Sequence, residues 1–192
     1  MVNLDGATFC STSGIKGQNQ DRSWFQRAVQ TRTTAVGVFQ ISLMTGRPAI
    51  VIGHPLLGSS GEVERVIFAS IELDQLEHLV ATLELPRGVQ LTVFDRDRTI
   101  LVRYPDPASW IGKPLPDLPA VDAIALGSGE EIRDGAGADG VRRLYASVGV
   151  QANLNTGLSV EMSIERAVAF AEADRLLQQQ MWLLALLALA AV

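Results

Sequence analysis

Two successive groups of strand-like segments, separated by one break, constrain the fold of this chain more than any other feature. Alternation and apolar runs predict three strands in the first group, at residues 35–43, 48–55 and 63–73. The second group is predicted as five strands, at residues 89–93, 100–104, 130–134, 141–148 and 158–164. Proline and glycine at residues 86–88 interrupt the chain between the groups. The pattern predicts two similar cycles of antiparallel strands with a boundary near residue 86.

Four helices are predicted around these strands. Asp21 is a suitable N-cap for a helix that ends near Thr31, because its carboxylate can accept free backbone N–H groups of the first turn. Asp74 is a similar cap for a second helix with one apolar face. A short helix is predicted at residues 120–126. From Glu165 a helix continues without glycine or proline into the end of the chain.

The first helix combines a large aromatic residue with a guanidinium. Trp24, Phe25 and Ala28 fall on one side of the helix, whereas Arg22 and Arg27 are more polar. This arrangement suits a small anionic ligand. It equally suits a packed helix in which Trp24 belongs to the core and Arg22 extends to the surface.

Composition excludes several classes of function. The chain has 192 residues and a net charge of -5, which argues against nucleic-acid binding, since phosphate contacts need clustered Lys and Arg. With Cys10 as the single cysteine and His54 and His78 as the only histidines, neither a disulfide nor a zinc cluster can form within the chain. No cofactor is predicted.

Short catalytic motifs do not gain support from their context. Residues 135–140 match G-x-G-x-x-G, but a strand pattern follows them, which predicts a hairpin loop and not a dinucleotide site. Residues 13–16 match S-x-x-K without the motifs that accompany it in serine enzymes. His54 ends an apolar strand and is interpreted as a core or rim histidine. No enzymatic activity is therefore expected within this chain.

The C-terminal segment is strongly apolar. No charged residue follows Arg175, and residues 181–192 are wholly apolar, although a membrane span needs about 20 such residues. With Trp182 placed like an interfacial aromatic, we expect the start of a truncated transmembrane helix. The alternative is a buried C-terminal helix. Nothing at the N-terminus resembles a signal peptide, and the sequence is expected to be truncated at both ends.

The order of these features resembles the double Cache sensor family of bacterial transmembrane receptors. Three motifs resemble its membrane-distal module, namely Asp5-Gly6 followed by residues 11–13, the helix start at residues 21–28, and residues 71–76. Two more, residues 93–101 and 110–113, resemble the start of the membrane-proximal module. The resemblance covers nearly the whole chain.

This resemblance implies an α+β fold of two PAS-like domains, each with a central antiparallel sheet and flanking helices. The implied domains are residues 1–86 and 87–166, with 167–192 as a signalling helix that enters the membrane. Residues 1 to about 178 would be periplasmic, anchored to the inner membrane as a homodimer. Because the sequence is expected to be truncated, the family's N-terminal helix is expected to be missing from it, and a kinase, cyclase or chemotaxis output would lie outside the chain.

The resemblance also implies a small-molecule ligand in the distal domain. In amino-acid-sensing members an Arg-x-Trp pair holds the ligand carboxylate, and Arg22 and Trp24 match that pair. In those members an aspartate holds the ligand ammonium, and Ser70 occupies its position in this sequence. This difference favours a carboxylate or another small anion as the ligand. The predicted ligand-binding residues are Arg22, Trp24, Phe39, His54 and Ser70.

Two other functions stay open at this point. The chain could be a membrane-anchored structural module that forms dimers and binds no ligand. This alternative is favoured if Trp24, Phe39 and Ile52 fill the distal pocket completely. An enzyme with His54 as base would need a carboxylate near that histidine, and the sequence offers none.

Overall fold

The computed structural model describes residues 1–12, 14, 16–116, 131–137, 139–150 and 156–190. In these residues the chain forms two five-stranded antiparallel sheets and three α-helices, so the α+β prediction is confirmed. The first sheet contains β1 (Val2–Asn3), β2 (Ala35–Val36), β3 (Gln40–Ile41), β4 (Pro48–Leu57) and β5 (Val63–Glu72). The second contains β6 (Val89–Phe94), β7 (Ile100–Tyr104), β8 (Glu131–Ala136), β9 (Arg142–Gly149) and β10 (Ser159–Glu165). The helices are α1 (Ser23–Thr31), α2 (Leu73–Ala81) and α3 (Arg166–Ala190).

The first sheet has the strand order β1-β5-β4-β2, and β3 also pairs with β4. The prediction of one strand over residues 35–43 is wrong, because the chain leaves the sheet between β2 and β3. Gly37 still donates its N–H to the Val51 carbonyl at 2.7 Å, but the Phe39 N–H is directed to the Asp95 carboxylate, also at 2.7 Å. A partner distant in sequence therefore interrupts a strand that the local pattern favours.

Both predicted helix caps are displaced. α1 has Arg22 at its N-cap and α2 has Glu72, and neither makes a side-chain capping bond. Asp21 is an exposed turn residue, and Asp74 lies inside the first turn of α2. The turn before α1 is closed by a backbone bond from Arg22 to the Asn19 carbonyl, at 3.0 Å, so the helix starts one residue later.

The apolar side of α1 covers the first sheet as its pattern predicts. Trp24, Phe25 and Ala28 are buried, and they form one core cluster with Val51 of β4 and Val66 of β5. Each large apolar side chain that is fully buried stabilises the fold by about 1.5–3 kcal/mol. This cluster fixes α1 on the sheet.

The second sheet has the order β7-β6-β10-β9-β8. Residues 86–88 lie between α2 and β6, at the passage from the first sheet to the second. The hairpin predicted at residues 135–140 is confirmed, because Gly137 donates to the Val141 carbonyl at 2.8 Å between β8 and β9. The helix predicted at residues 120–126 lies outside the described residues.

An apolar cluster joins the two sheets. Ile50 and Leu73 come from the first half of the chain, and Leu91, Leu101 and Val102 come from the second half. The Phe39 ring packs on this cluster and against Gly112, where a Cβ atom would lie 2.8 Å from Phe39 Cζ. The two sheets thus share a core.

α3 continues directly from β10, as the sequence predicts. Arg166 pairs with Asp134 of β8 at 3.1 Å, and the described side chains from residue 167 onward are exposed. Within the described part of the chain, no helix combines the length and apolar character that a membrane crossing requires. The start of a transmembrane helix in this segment stays a prediction.

Candidate functional site

A small cleft lies on the first sheet, between the start of α1 and the segment that joins β3 to β4. Its volume is about 30 Å³, more than the roughly 10–15 Å³ that a single bound water needs. The residues that line it are Thr8, Gly17, Asn19, Trp24, Gln40, Ser42, Leu43, Met44, Val51, Phe68 and Ser70. None of these described lining residues carries a charge.

Trp24 is the largest side chain in this cleft, and two glycines make room for it. Its exposed fraction is 1%. A Cβ on Gly53 would lie 2.6 Å from Trp24 Cε3, and one on Gly37 would lie 3.2 Å from Trp24 Cβ. The ring packs against Phe68 with centroids 5.2 Å apart. Trp24 therefore leaves no room for a side chain at residue 53 and little room at residue 37.

The indole N–H of Trp24 is buried and has no hydrogen-bond acceptor among the described residues. A buried donor without an acceptor costs about 1–3 kcal/mol, and buried Trp side chains usually find a partner. An acceptor on a bound molecule would remove that cost. Trp24, whose indole N–H lacks an acceptor among the described residues, is the lining residue that points to a ligand.

Neutral polar groups line the cleft together with Trp24. The Asn19 side chain donates to Thr8 Oγ1 at 2.8 Å, which fixes the loop before α1. Ser42 Oγ accepts the backbone N–H of Met44 at 3.2 Å, which shapes the opposite wall. The sequence analysis missed Asn19 and Ser42, although both lie in polar turn segments next to predicted elements.

The structure brings two of the five predicted site residues together, since Trp24 and Ser70 both line the cleft. Arg22 is half-buried at the N-cap of α1 and does not line it. His54 is exposed on β4 and its Nδ1 lies 2.7 Å from Thr34 Oγ1. Phe39 lies between the two sheets. Ligand-binding roles for all five residues stay predictions.

Comparison of the sequence with known proteins finds one informative relative. No protein-family model matches the sequence. Sporulation kinase D of Bacillus subtilis (strain 168) is 25% identical over 139 residues. The match covers 65% of this chain and 28% of the kinase, so the chain spans little more than a quarter of that relative.

Solved structures give a closer match in fold. The extracellular domain of rpHK1S-Z16, a predicted histidine kinase, aligns with a TM-score of 0.70 at 19% identity over 88% of this chain and 70% of that one. The chain has the fold of a Cache-like sensor domain. The ligand-binding domain of the Pseudomonas aeruginosa PAO1 amino-acid chemoreceptor PctB, in complex with L-Arg, aligns with a TM-score of 0.64 at 18% identity. The alignment covers 93% of this chain and 69% of that domain. The ligand-binding domain of the Pseudomonas fluorescens chemoreceptor CtaA, in complex with L-leucine, aligns with a TM-score of 0.61 at 18% identity. The alignment covers 88% of this chain and 70% of that domain. The resemblance drawn from sequence motifs is confirmed for the fold.

Proposed function

We propose that this chain is the ligand-sensing region of a bacterial signal-transduction receptor. In this proposal residues 1–86 and 87–166 are PAS-like distal and proximal domains, and 167–192 form a signalling helix. Trp24 carries the proposal, because it lines a cleft of a sensor-domain fold and its buried indole N–H has no acceptor among the described residues. The relatives support this class, since all three solved domains named above belong to receptors or histidine kinases.

The ligand we propose is a small polar molecule with an acceptor group, such as a carboxylate. PctB and CtaA were solved with amino acids, but neutral donors and Ser70 line the cleft of this chain. A cleft of about 30 Å³ admits such a molecule only if one wall moves. We propose that the segment at residues 42–44 moves, and that Arg22 then reaches an anionic ligand from the start of α1.

The signal would pass from the first sheet to the second through their shared contacts. Phe39 leaves the first sheet to bond Asp95 and to pack on Gly112. The second sheet ends in β10, which runs directly into α3. A ligand that binds two arrangements with different affinity shifts their populations, and helix shifts of about 1–2 Å carry such changes in other receptors and enzymes.

The output and assembly of the receptor belong to the same proposal. A kinase, cyclase or chemotaxis module outside this chain would receive the movement of α3. The exposed apolar residues of α3, among them Leu176, Leu177 and Met181, suit a homodimer contact or a membrane surface. Residues 1 to about 178 would then be periplasmic.

Thermal unfolding with a panel of probes tests the proposal. The panel contains the common L-amino acids together with acetate, propionate and succinate. At least one probe should raise the melting temperature of the wild type, and Trp24→Phe should lose that shift because it keeps an aromatic ring but removes the donor. Trp182→Phe is the matched control, since Trp182 is 73% exposed on α3.

Arg22→Ala separates the anionic contact from the indole contact. Loss of the shift for carboxylate probes alone would support a role for Arg22. If no probe shifts the wild type, or if Trp24→Phe responds like the wild type, the proposed distal site is wrong.

A structural module that forms dimers is the second candidate. The observation that favours it is the small volume of the cleft, about 30 Å³, although Phe39 and Ile52 do not line it. It predicts a stable dimer in sedimentation experiments and no response to any probe of the panel. The sensor proposal predicts a probe response whether or not the unliganded chain is dimeric.

A further inference from the structure

A second and larger cavity lies on the second sheet, and none of the predicted site residues belongs to it. It encloses about 260 Å³ between the sheet, the β8–β9 hairpin and the segment after β7. Six of its lining residues carry the argument, namely Gln90, Arg103, Trp110, Asp139, Tyr145 and Glu161. Its volume is that of a metabolite-sized pocket, just below the roughly 300–1,000 Å³ of sites for drug-sized ligands.

The sheet face under this cavity is polar although it is buried. On β10, Glu161 and Ser163 have exposed fractions of 5% and 4%, whereas the apolar Met162 between them is 41% exposed. Glu161 lies opposite Thr92 of β6 and Ser147 of β9, which are also buried. A covered sheet face is ordinarily apolar, so this face is built to contact something polar.

Arg103 of β7 is held in one position above this face. Its guanidinium donates to Thr92 Oγ1 at 2.5 Å and to Gln90 Oε1 at 2.7 Å, and its Cζ lies 5.2 Å from the centre of the Trp110 ring. Its Nε is buried and has no acceptor among the described residues. A guanidinium has five N–H donors, so Arg103 is positioned and still has donors to offer.

Glu161 presents the complementary charge. Its Oε2 is buried and accepts no hydrogen bond from the described residues. Burial raises the pKa of its carboxyl, and the Arg103 and Arg133 guanidinium groups only partly oppose this shift. A positively charged donor beside Glu161 would supply the missing hydrogen bond and favour the carboxylate.

The other charges around the cavity are already paired or lie at its edge. Asp139 of the hairpin accepts from Arg143 at 2.9 Å, and Arg143 also donates to Glu165. Asp106 lies in the segment after β7 and is exposed. Among its lining residues the cavity therefore offers one fixed cation, Arg103, and one buried acid, Glu161, on which the Arg133 guanidinium also acts.

We propose that this second cavity binds a small zwitterion, with Arg103 contacting its anionic group and Glu161 its ammonium group. Trp110 and Tyr145 form the walls between the two charges. The G-x-G-x-x-G hairpin has a place in this site, because Gly137 lies where a Cβ would be 3.1 Å from Tyr145 Oη. The pocket would make the second sheet a sensor in its own right, separate from the distal cleft.

Calorimetric titration of the whole chain with charge-matched probes tests this proposal. Glycine, β-alanine and γ-aminobutyrate are the zwitterions, and butyrate and butylamine carry one of the two charges each. At least one zwitterion should bind roughly tenfold or more tightly than either singly charged probe, because each charge-assisted bond contributes about a tenfold change or more.

Variants assign the binding to this cavity. Glu161→Gln and Arg103→Gln should each weaken the zwitterion roughly tenfold to a hundredfold, while Arg142→Gln, an exposed arginine on β9, should leave its affinity unchanged. Arg103→Lys replaces Arg103→Gln if circular dichroism shows that the glutamine variant is unfolded, since lysine keeps the charge but loses the fixed planar geometry.

Trp24→Phe separates this site from the distal cleft. Retained zwitterion affinity in Trp24→Phe, together with loss in Glu161→Gln, supports the second site even if the distal proposal fails. The proposal is overturned if no zwitterion binds the wild type, if both cavity variants bind like the wild type, or if only Trp24→Phe loses affinity.

Discussion

The distal cleft and the second cavity lie on five-stranded antiparallel sheets but differ in volume and in the charge of their lining residues. The distal cleft is about 30 Å³, has no charged residue among its described lining residues, and has the buried Trp24 in its wall. The second cavity is about 260 Å³ and holds Arg103 and Glu161. In the distal cleft, the Trp24 indole packs directly over Gly53. In the second cavity, the buried sheet face carries the charged Arg103 and Glu161, each with a polar atom that lacks a hydrogen-bond partner among the described residues.

Two five-stranded antiparallel sheets can therefore differ in whether the residues on their surface are arranged to bind a ligand. Among the described residues that line it, the distal cleft has one unsatisfied donor, on the tightly packed Trp24, so binding there competes with tight packing. The second cavity has an unsatisfied donor and an unsatisfied acceptor that are already in position. Prearranged polar groups lose less free energy to ordering when they bind, which favours the second cavity as a recognition site.

Removal of the Trp24 side chain should have the largest effect on the free energy of unfolding. Trp24→Ala should reduce the free energy of unfolding by about 3–5 kcal/mol, because it deletes a buried aromatic side chain and leaves a cavity over Gly53. Urea unfolding measures the loss. Trp182→Ala is the control and should stay within about 0.5 kcal/mol of the wild type. A loss below about 1 kcal/mol for Trp24→Ala would mean that the first sheet does not depend on this packing.

The contact between the sheets should give the next largest effect. Asp95 is 2% exposed and accepts three backbone N–H groups, from Phe39 at 2.7 Å and from Asp97 and Thr99 at 2.9 Å. Asp95→Ala should cost about 1.5–3 kcal/mol, because these bonds to a charged group are lost. It should also raise amide hydrogen exchange at Phe39. The exposed Asp97 is the control, and equal losses in Asp97→Ala would contradict this role.

The charge of Glu161 should give a dependence on pH. The folded-state pKa of Glu161 is raised above its ordinary 4.5 by burial, with Arg103 and Arg133 as the opposing charges. The folded chain therefore binds this proton more tightly than the unfolded chain, and stability falls as pH rises from about 4.5 through the raised pKa. Each unit of pKa difference corresponds to about 1.4 kcal/mol.

Glu161→Gln removes this titration. Unfolding at a series of pH values should show that the variant gains stability relative to the wild type as pH rises, with no further gain above the folded-state pKa. Glu172→Gln, on the exposed part of α3, should follow the wild type. A difference that stays constant over the whole series would show that Glu161 is not buried as described.

His54 should give the smallest effect, because it lies outside both cavities. Its ring is exposed and bonds Thr34, so His54→Ala should change stability by no more than about 0.5 kcal/mol. The response to the probe panel should also be unchanged. Loss of that response would restore the prediction from sequence that His54 belongs to the ligand site.

The sequence by itself determined the elements that depend on local pattern. Alternation and apolar runs located most strands, the glycine-rich segment at residues 135–140 was recognisable as a hairpin, and the helix from Glu165 had no breaker to end it. The burial of Trp24 and Phe25 followed from helical spacing. These features depend on residues within a few positions of each other, so one sequence is enough to read them.

The tertiary structure alone decided which faces and partners those elements have. Alternation on β10 places Val160, Met162 and Ile164 on one side, yet the structure buries Glu161 and Ser163 on the other. The break at Phe39 needs Asp95, which is 56 residues away. Periodicity fixes only which residues share a face of a strand. Which face is covered, and whether a buried charge meets a partner there, depends on contacts between segments far apart in the chain.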